Sequence, residues 1–117
     1  TVCAFNTEVF DTNGTYNTGD YKFTPLIAGY YFFKLQIFWS SSARCMTGFY
    51  KNGSSDTETY AIPGTASGGA NNQSHAIIQL DADDYVQAVA AQTSGGNLAN
   101  NQNIALSNFS GHLLMAT

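Results

Sequence analysis

Few of the 117 residues carry side chains that do covalent chemistry. His75 and His112 are the only imidazoles in the chain. A nucleophilic hydrolase would set one of them beside a serine and an acid, but the chain contains no Gly-x-Ser-x-Gly elbow. Both histidines fall in alternating segments that read as strands, so no local signature supports a triad and no enzymatic activity is expected. Asp81, Asp83 and Asp84 are the one acidic cluster. Closely spaced carboxylates offer the hard oxygen ligands calcium takes, although the spacing is not that of an EF-hand. The same cluster fits a tight turn in which Asp84 accepts backbone amides while Asp81 and Asp83 stay solvated, and that reading is preferred. Calcium is thus the only cofactor with candidate ligands, Asp81 and Asp83 being weak ones. A third chemistry is sugar recognition by ring stacking and hydroxyl hydrogen bonds. Tyr60, Asn71, Asn72, Gln73, Asn97, Asn100, Asn101 and Asn103 lie in or beside two long polar segments. Each taken alone reads first as a solubilising loop residue.

Cys3 and Cys45 could form one disulfide, but they fall in segments that read as different strands. Two small buried hydrophobes is the preferred reading. Four Asn-x-Ser/Thr sequons occur, at Asn13, Asn52, Asn72 and Asn108. They matter only on a eukaryotic secretory route.

The elements that must position these residues show a period of two. From Tyr30 to Trp39 one face is Tyr31, Phe33, Leu35, Ile37 and Trp39, wholly apolar, as a core face should be. The other is Tyr30, Phe32, Lys34, Gln36 and Phe38. Three aromatics on a water-facing strand are unusual, so this second face is expected to meet something else, which points to an oligomer. Asp84 to Gln92 repeats the alternation, with Val86, Ala88 and Ala90 opposite Tyr85, Gln87 and Val89. Phe109, Gly111 and Leu113 alternate with Ser110, His112 and Leu114. Phe5 to Phe10, Thr15 to Thr24, Cys45 to Lys51 and Ser74 to Leu80 also read as extended. Asn13-Gly14, Asn52-Gly53, Gly68-Gly69 and Gly95-Gly96 mark turns. Ser54 to Asn72 and Thr93 to Gln102 read as long surface loops.

Composition narrows the class. Charged residues make up 10%, hydrophobic residues 44% and aromatics 14%, enough apolar mass for a core and for one domain over residues 1–117. Strong helix formers are scarce, which disfavours an all-helical fold. Net charge is −4, and four Lys plus Arg cannot build a phosphate-tracking patch, so nucleic acid is not an expected partner. No apolar run is long enough for a membrane-spanning helix, and no secretory leader stands at Thr1. Many short strands with regular turn signals predict an all-β antiparallel sandwich or barrel.

These residues, in order, resemble a known family. Phe5-Asn-Thr-Glu-Val-Phe-Asp-Thr-Asn-Gly-Thr-Tyr16-Asn17 is similar to the opening strand and turn of the globular head domain of complement C1q, a jelly roll related to tumour necrosis factor domains. Thr18-Gly19 with Phe23-Thr24-Pro25, Ala28-Gly29-Tyr30-Tyr31-Phe32-Phe33, Tyr50-Lys51-Asn52-Gly53, Leu80 with Asp84-Tyr85-Val86, and Phe109-Ser110-Gly111-His112-Leu113-Leu114 resemble its later motifs. The wording is closer to jelly-roll tips of bacterial and tailed-phage fibre or head-decoration proteins than to vertebrate members. That family has a further N-terminal strand, of which Thr1 to Ala4 would be the remnant.

The resemblance implies a compact homotrimer whose inner sheet packs around a three-fold axis. The strands holding Tyr30 to Phe38, Tyr85 to Val89 and Ser110 to Leu114 would share that sheet, with Tyr30, Phe32, Phe38, Tyr85, Gln87, His112 and Leu114 at the trimer interface. It further implies a non-enzymatic recognition or capping domain on a virion or bacterial surface fibre, exposed at the virion surface or secreted. Its partner would be a cell-surface glycan or protein receptor, met by three copies of the loops holding Tyr60, Asn71, Asn72, Asn97, Asn100 and Asn101. Two alternatives stay open: a purely structural trimerisation or capsid-decoration module, and a secreted eukaryotic pattern-recognition ligand of the same fold.

Overall fold

The computed structural model describes residues 2, 3, 5, 11, 15–38, 43–53, 62–66, 71–92 and 107–117; at 43–46, 62–66, 71–72 and 91–92 it describes the backbone alone. Eight strands and no helix are present among them. In chain order they are β1 (Tyr16–Asn17), β2 (Lys22–Phe23), β3 (Gly29–Phe38), β4 (Ala43–Lys51), β5 (Ile62–Ala66), β6 (Asn71–Leu80), β7 (Val86–Gln92) and β8 (Asn108–Ala116). They form two antiparallel sheets, one ordered β1-β2-β7-β4-β5 and the other β6-β3-β8.

The alternation in β3 is what builds the core. Tyr31, Phe33, Leu35 and Ile37 are buried, while the intervening side chains are exposed or half-buried. β6 pairs with β3 over its whole length and alternates in step, burying Ser74, Ala76, Ile78 and Leu80. From the other sheet come Phe49 of β4 and Val86 and Ala88 of β7. Phe33 is the centre of an aromatic cluster, with ring centroids 5.3 Å from Phe23, 6.0 Å from Phe49 and 5.9 Å from Phe109. The Phe23 ring meets it edge to face at 76°, a favourable aromatic arrangement. Tyr31 is also in the core, and its hydroxyl donates to Ile27 O at 2.6 Å, so burial leaves no orphan group.

Several elements differ from the sequence reading. Thr15 to Thr24 is not one extended segment: β1 and β2 are two residues each, joined by a turn at 18–21 in which Tyr21 holds a φ of 59°. Asp11 sets the approach, its carboxylate accepting from Thr15 N and Tyr16 N. The stretch from Ser54 to Asn72 contains a strand, β5, and the first two residues of β6. Pro63 lies in β5, which is the edge of its sheet, the place where a missing N–H is tolerated. Thr93 to Gln102 lies outside the described residues, as do Phe10, Trp39 and most of Phe5 to Phe10.

Cys3 has a free thiol. Its N–H donates to Ala88 O and Val2 bridges Val89, which places it along β7 on the side away from β4. Cys45 pairs with Gln92 across the other edge of β7, four residues further on, or about 13 Å along the strand. That separation exceeds the ~7 Å reach of a disulfide. Burial pushes the Cys3 thiol up to about 11.

Candidate functional site

The outward face of β6-β3-β8 is where chemistry-bearing and apolar side chains converge. Register sets its rows. Gln79, Tyr30 and Met115 form one row, Ile77, Phe32 and His112 the next, then His75, Lys34 and Ser110, then Gln73, Gln36 and Asn108. Ile77 is 59% exposed, Met115 62% and Tyr30 37%, so the first two rows present a contiguous apolar surface to solvent. Phe32 lies between the two imidazoles, with its centroid 5.5 Å from the His112 ring and 6.3 Å from the His75 ring. At the far end, Gln73 Nε2 donates to Gln36 Oε1 at 3.2 Å, and Asn71 pairs with Phe38.

A bulge shapes the near end. The register of β3 against β8 slips between Tyr30 and Tyr31, so Leu113 faces Tyr31 and Met115 faces Tyr30. Leu114 is the extra residue. It is exposed at the rim, and Met115 occupies the position that strict alternation assigns to Leu114. Gly29 and Gly111 allow the close pairing of β3 and β8. A Cβ on Gly111 would lie 2.6 Å from Phe33 Cδ1, so only glycine lets the buried Phe33 ring pass.

The face brings together Tyr30, Phe32, Phe38 and His112, with Leu114 at its rim. It does not bring in Tyr85 or Gln87. The expectation that Tyr85 to Val89 shares a sheet with β3 and β8 is corrected: β7 lies in the other sheet, between β2 and β4. The turn after Leu80 carries the chain across the sandwich, so Tyr85 and Gln87 face away from β3. Their burial has another cause. Lys22 Nζ sits 4.2 Å from the Tyr85 ring centroid, a cation–π contact, and Gln87 Nε2 donates to Asp20 O at 3.1 Å. Ile77 and Met115 were the residues that sequence reasoning missed. The signal was present in the alternation of Ser74 to Leu80, but only the pairing of β6 with β3 shows that its outward positions extend the same surface.

The acidic cluster forms a turn. Asp84 Oδ1 accepts from Asn52 Nδ2 at 2.9 Å and Asp84 Oδ2 from Asp81 N at 2.8 Å, with Lys51 Nζ at 3.8 Å. These contacts, the Asn52 bond foremost, hold its carboxyl below the usual range. Asn52 also accepts from Tyr85 N through Oδ1, so both ends of its side-chain amide are used. Asp81 and Asp83 are exposed. Among the described residues no group of three His, Cys, Asp or Glu is placed to hold a metal ion. Of the sugar-binding candidates, Asn71 and Asn72 belong to β6 at the Phe38 end of the face. Tyr60, Asn97, Asn100 and Asn101 lie outside the described residues.

An all-β sandwich of two antiparallel sheets, with its aromatic core on β3, matches the fold that the resemblance implied, apart from the placement of β7. A comparison with curated proteins gave no match. A family model for the C1q domain matches residues 1–114, nearly the whole chain, and the chain belongs to the C1q domain family.

Proposed function

We propose that three copies of the chain assemble through the outward face of β6-β3-β8 into a non-enzymatic recognition or capping unit. The observation that carries this reading is the apolar surface of half-buried Phe32 and exposed Tyr30, Ile77 and Met115 on one sheet face. An obligate interface is apolar and aromatic-rich, and a surface of that kind is what a stable partner removes from water. C1q domains typically oligomerise, are generally non-enzymatic and are commonly extracellular. The assembly sits at the tip of a bacterial or virion fibre or on a particle surface. It presents three sets of low-charge, Asn-rich loops to a cell-surface ligand such as carbohydrate, where avidity compensates for weak single contacts.

The test is a single charge in the face. Phe32→Glu replaces the apolar centre of the face with a carboxylate and leaves the core side of β3 untouched. The predicted result is a folded chain that no longer assembles, read by circular dichroism and light scattering. A Phe32→Glu protein of unchanged mass would place the interface elsewhere. Deletion of residues 93–102 separates recognition from scaffold: lost adsorption to cells with intact assemblies supports a ligand site there, and unchanged adsorption leaves a structural module.

A further inference from the structure

The same face carries a charge pattern that the assembly reading does not use. Its outward positions hold Lys34, His75 and His112, besides the Tyr30 phenol, and no carboxylate; the other outward positions of β6, β3 and β8 are uncharged. This occurs in a chain with eight acidic residues against four basic ones. His75 is directly opposite Lys34 across the β3–β6 pair. His112 and His75 flank Phe32, the centre of the apolar surface. Asp81, a described carboxylate, lies in the turn beyond the end of β6. It is four residues past Ile77, whose row holds His112, about 13 Å along the strand and beyond the ~10 Å screening length.

From this we infer that acid dissociates the assembly: His75 and His112 enter the interface as neutral rings and oppose it once protonated. The inference rests on the trimeric reading above. A neutral imidazole is tolerated against apolar surface, whereas an imidazolium taken from water without a carboxylate partner is not. Within each chain protonated His75 also faces Lys34 as a like charge across the strand pair, and covering the face removes the water that screens this repulsion in the free chain. The free chain therefore binds more protons than the assembly, and each proton excluded weakens assembly up to about tenfold per pH unit as pH falls through the imidazole range.

The experiment is light scattering of the full chain at fixed ionic strength, from about pH 7.5 to about pH 5, with circular dichroism following the fold. A threefold fall in mass with an unchanged spectrum is expected, together with retention of the three-chain mass at the acid end by the double variant His75→Gln, His112→Gln. Lys34→Gln should move the dissociation midpoint to lower pH, and this holds even if the double variant fails to assemble. A three-chain mass at both ends of the range would overturn the acid switch and leave the assembly reading standing. So would a Lys34→Gln midpoint that does not move, or acid dissociation of the double variant in step with the parent. A one-chain mass already at about pH 7.5 would overturn the assembly reading itself, and the switch with it.

Discussion

Asp84 accepts from Asn52 Nδ2 and from Asp81 N, so its ionised form is the one the fold binds. Its lowered pKa means that the unfolded chain takes up the proton first as pH falls. The stability it contributes is therefore full above the ordinary aspartate value of about 3.9 and is lost as pH falls through the lower folded value. Denaturant unfolding of Asp84→Asn should show a shallower loss of stability across that acid range than the parent; equal slopes would contradict this. A second residue pair joins the two sheets. The Ser74 hydroxyl of β6 donates to Thr47 O at 2.8 Å, and the two buried hydroxyls are hydrogen-bonded to each other. Ser74→Ala alone should cost about 1–3 kcal/mol because it strands the Thr47 hydroxyl. The double variant Thr47→Val, Ser74→Ala should cost less than the sum of the singles, measured as a double-mutant cycle. Sequence pattern pointed to the acid turn, because three aspartates between two alternating segments need a chain reversal. It was silent on Thr47 and Ser74, since a hydroxyl in an alternating run looks the same whether its neighbour is water or the opposite sheet.

β3 and β6 were legible as elements because each is long and strictly alternating, so burial on one side alone fixes their phase. β5 was not, because Ile62 to Ala66 is short and contains Pro63 and Gly64, residues that ordinarily end strands; only its edge position accommodates them. β1 and β2 are hard to separate from sequence because they are two residues each and the positive φ of their turn falls on Tyr21, two residues past the glycine, Gly19, that would ordinarily mark it. By contrast Asn52 (φ 54°) and Gly53 (φ 78°) both take the left-handed conformation that the Asn-Gly pair announces. β8 was legible in its alternation up to Leu113 and not beyond, because a bulge has no sequence signature here. Its key position is Gly111. Gly111→Ala pushes a methyl into the Phe33 ring, itself 1% exposed and enclosed by other aromatics, so the ring cannot yield. A loss of about 1–3 kcal/mol in denaturant unfolding is expected, and a variant as stable as the parent would show that β8 is free to move off β3.

At the scale of the molecule, composition and period pointed to an antiparallel sandwich or barrel, and the family resemblance to a jelly roll. What could not be read was which strand joined which sheet. Tyr85 to Val89 has the same two-sided bulk as β3, but Tyr85 and Gln87 on its outer face are met from within the chain, by Lys22 and the carbonyl of Asp20. The outer face of β3 has no such cover among the described residues, and Ile77 and Met115 widen it. The central claim is that a second and third copy cover it. The most direct measurement is the absolute mass of the unmodified chain by light scattering on a sizing column, near neutral pH and at micromolar concentration. A mass three times the 12.5 kDa of one chain is the result this account predicts, and a monodisperse single chain of 12.5 kDa would contradict it.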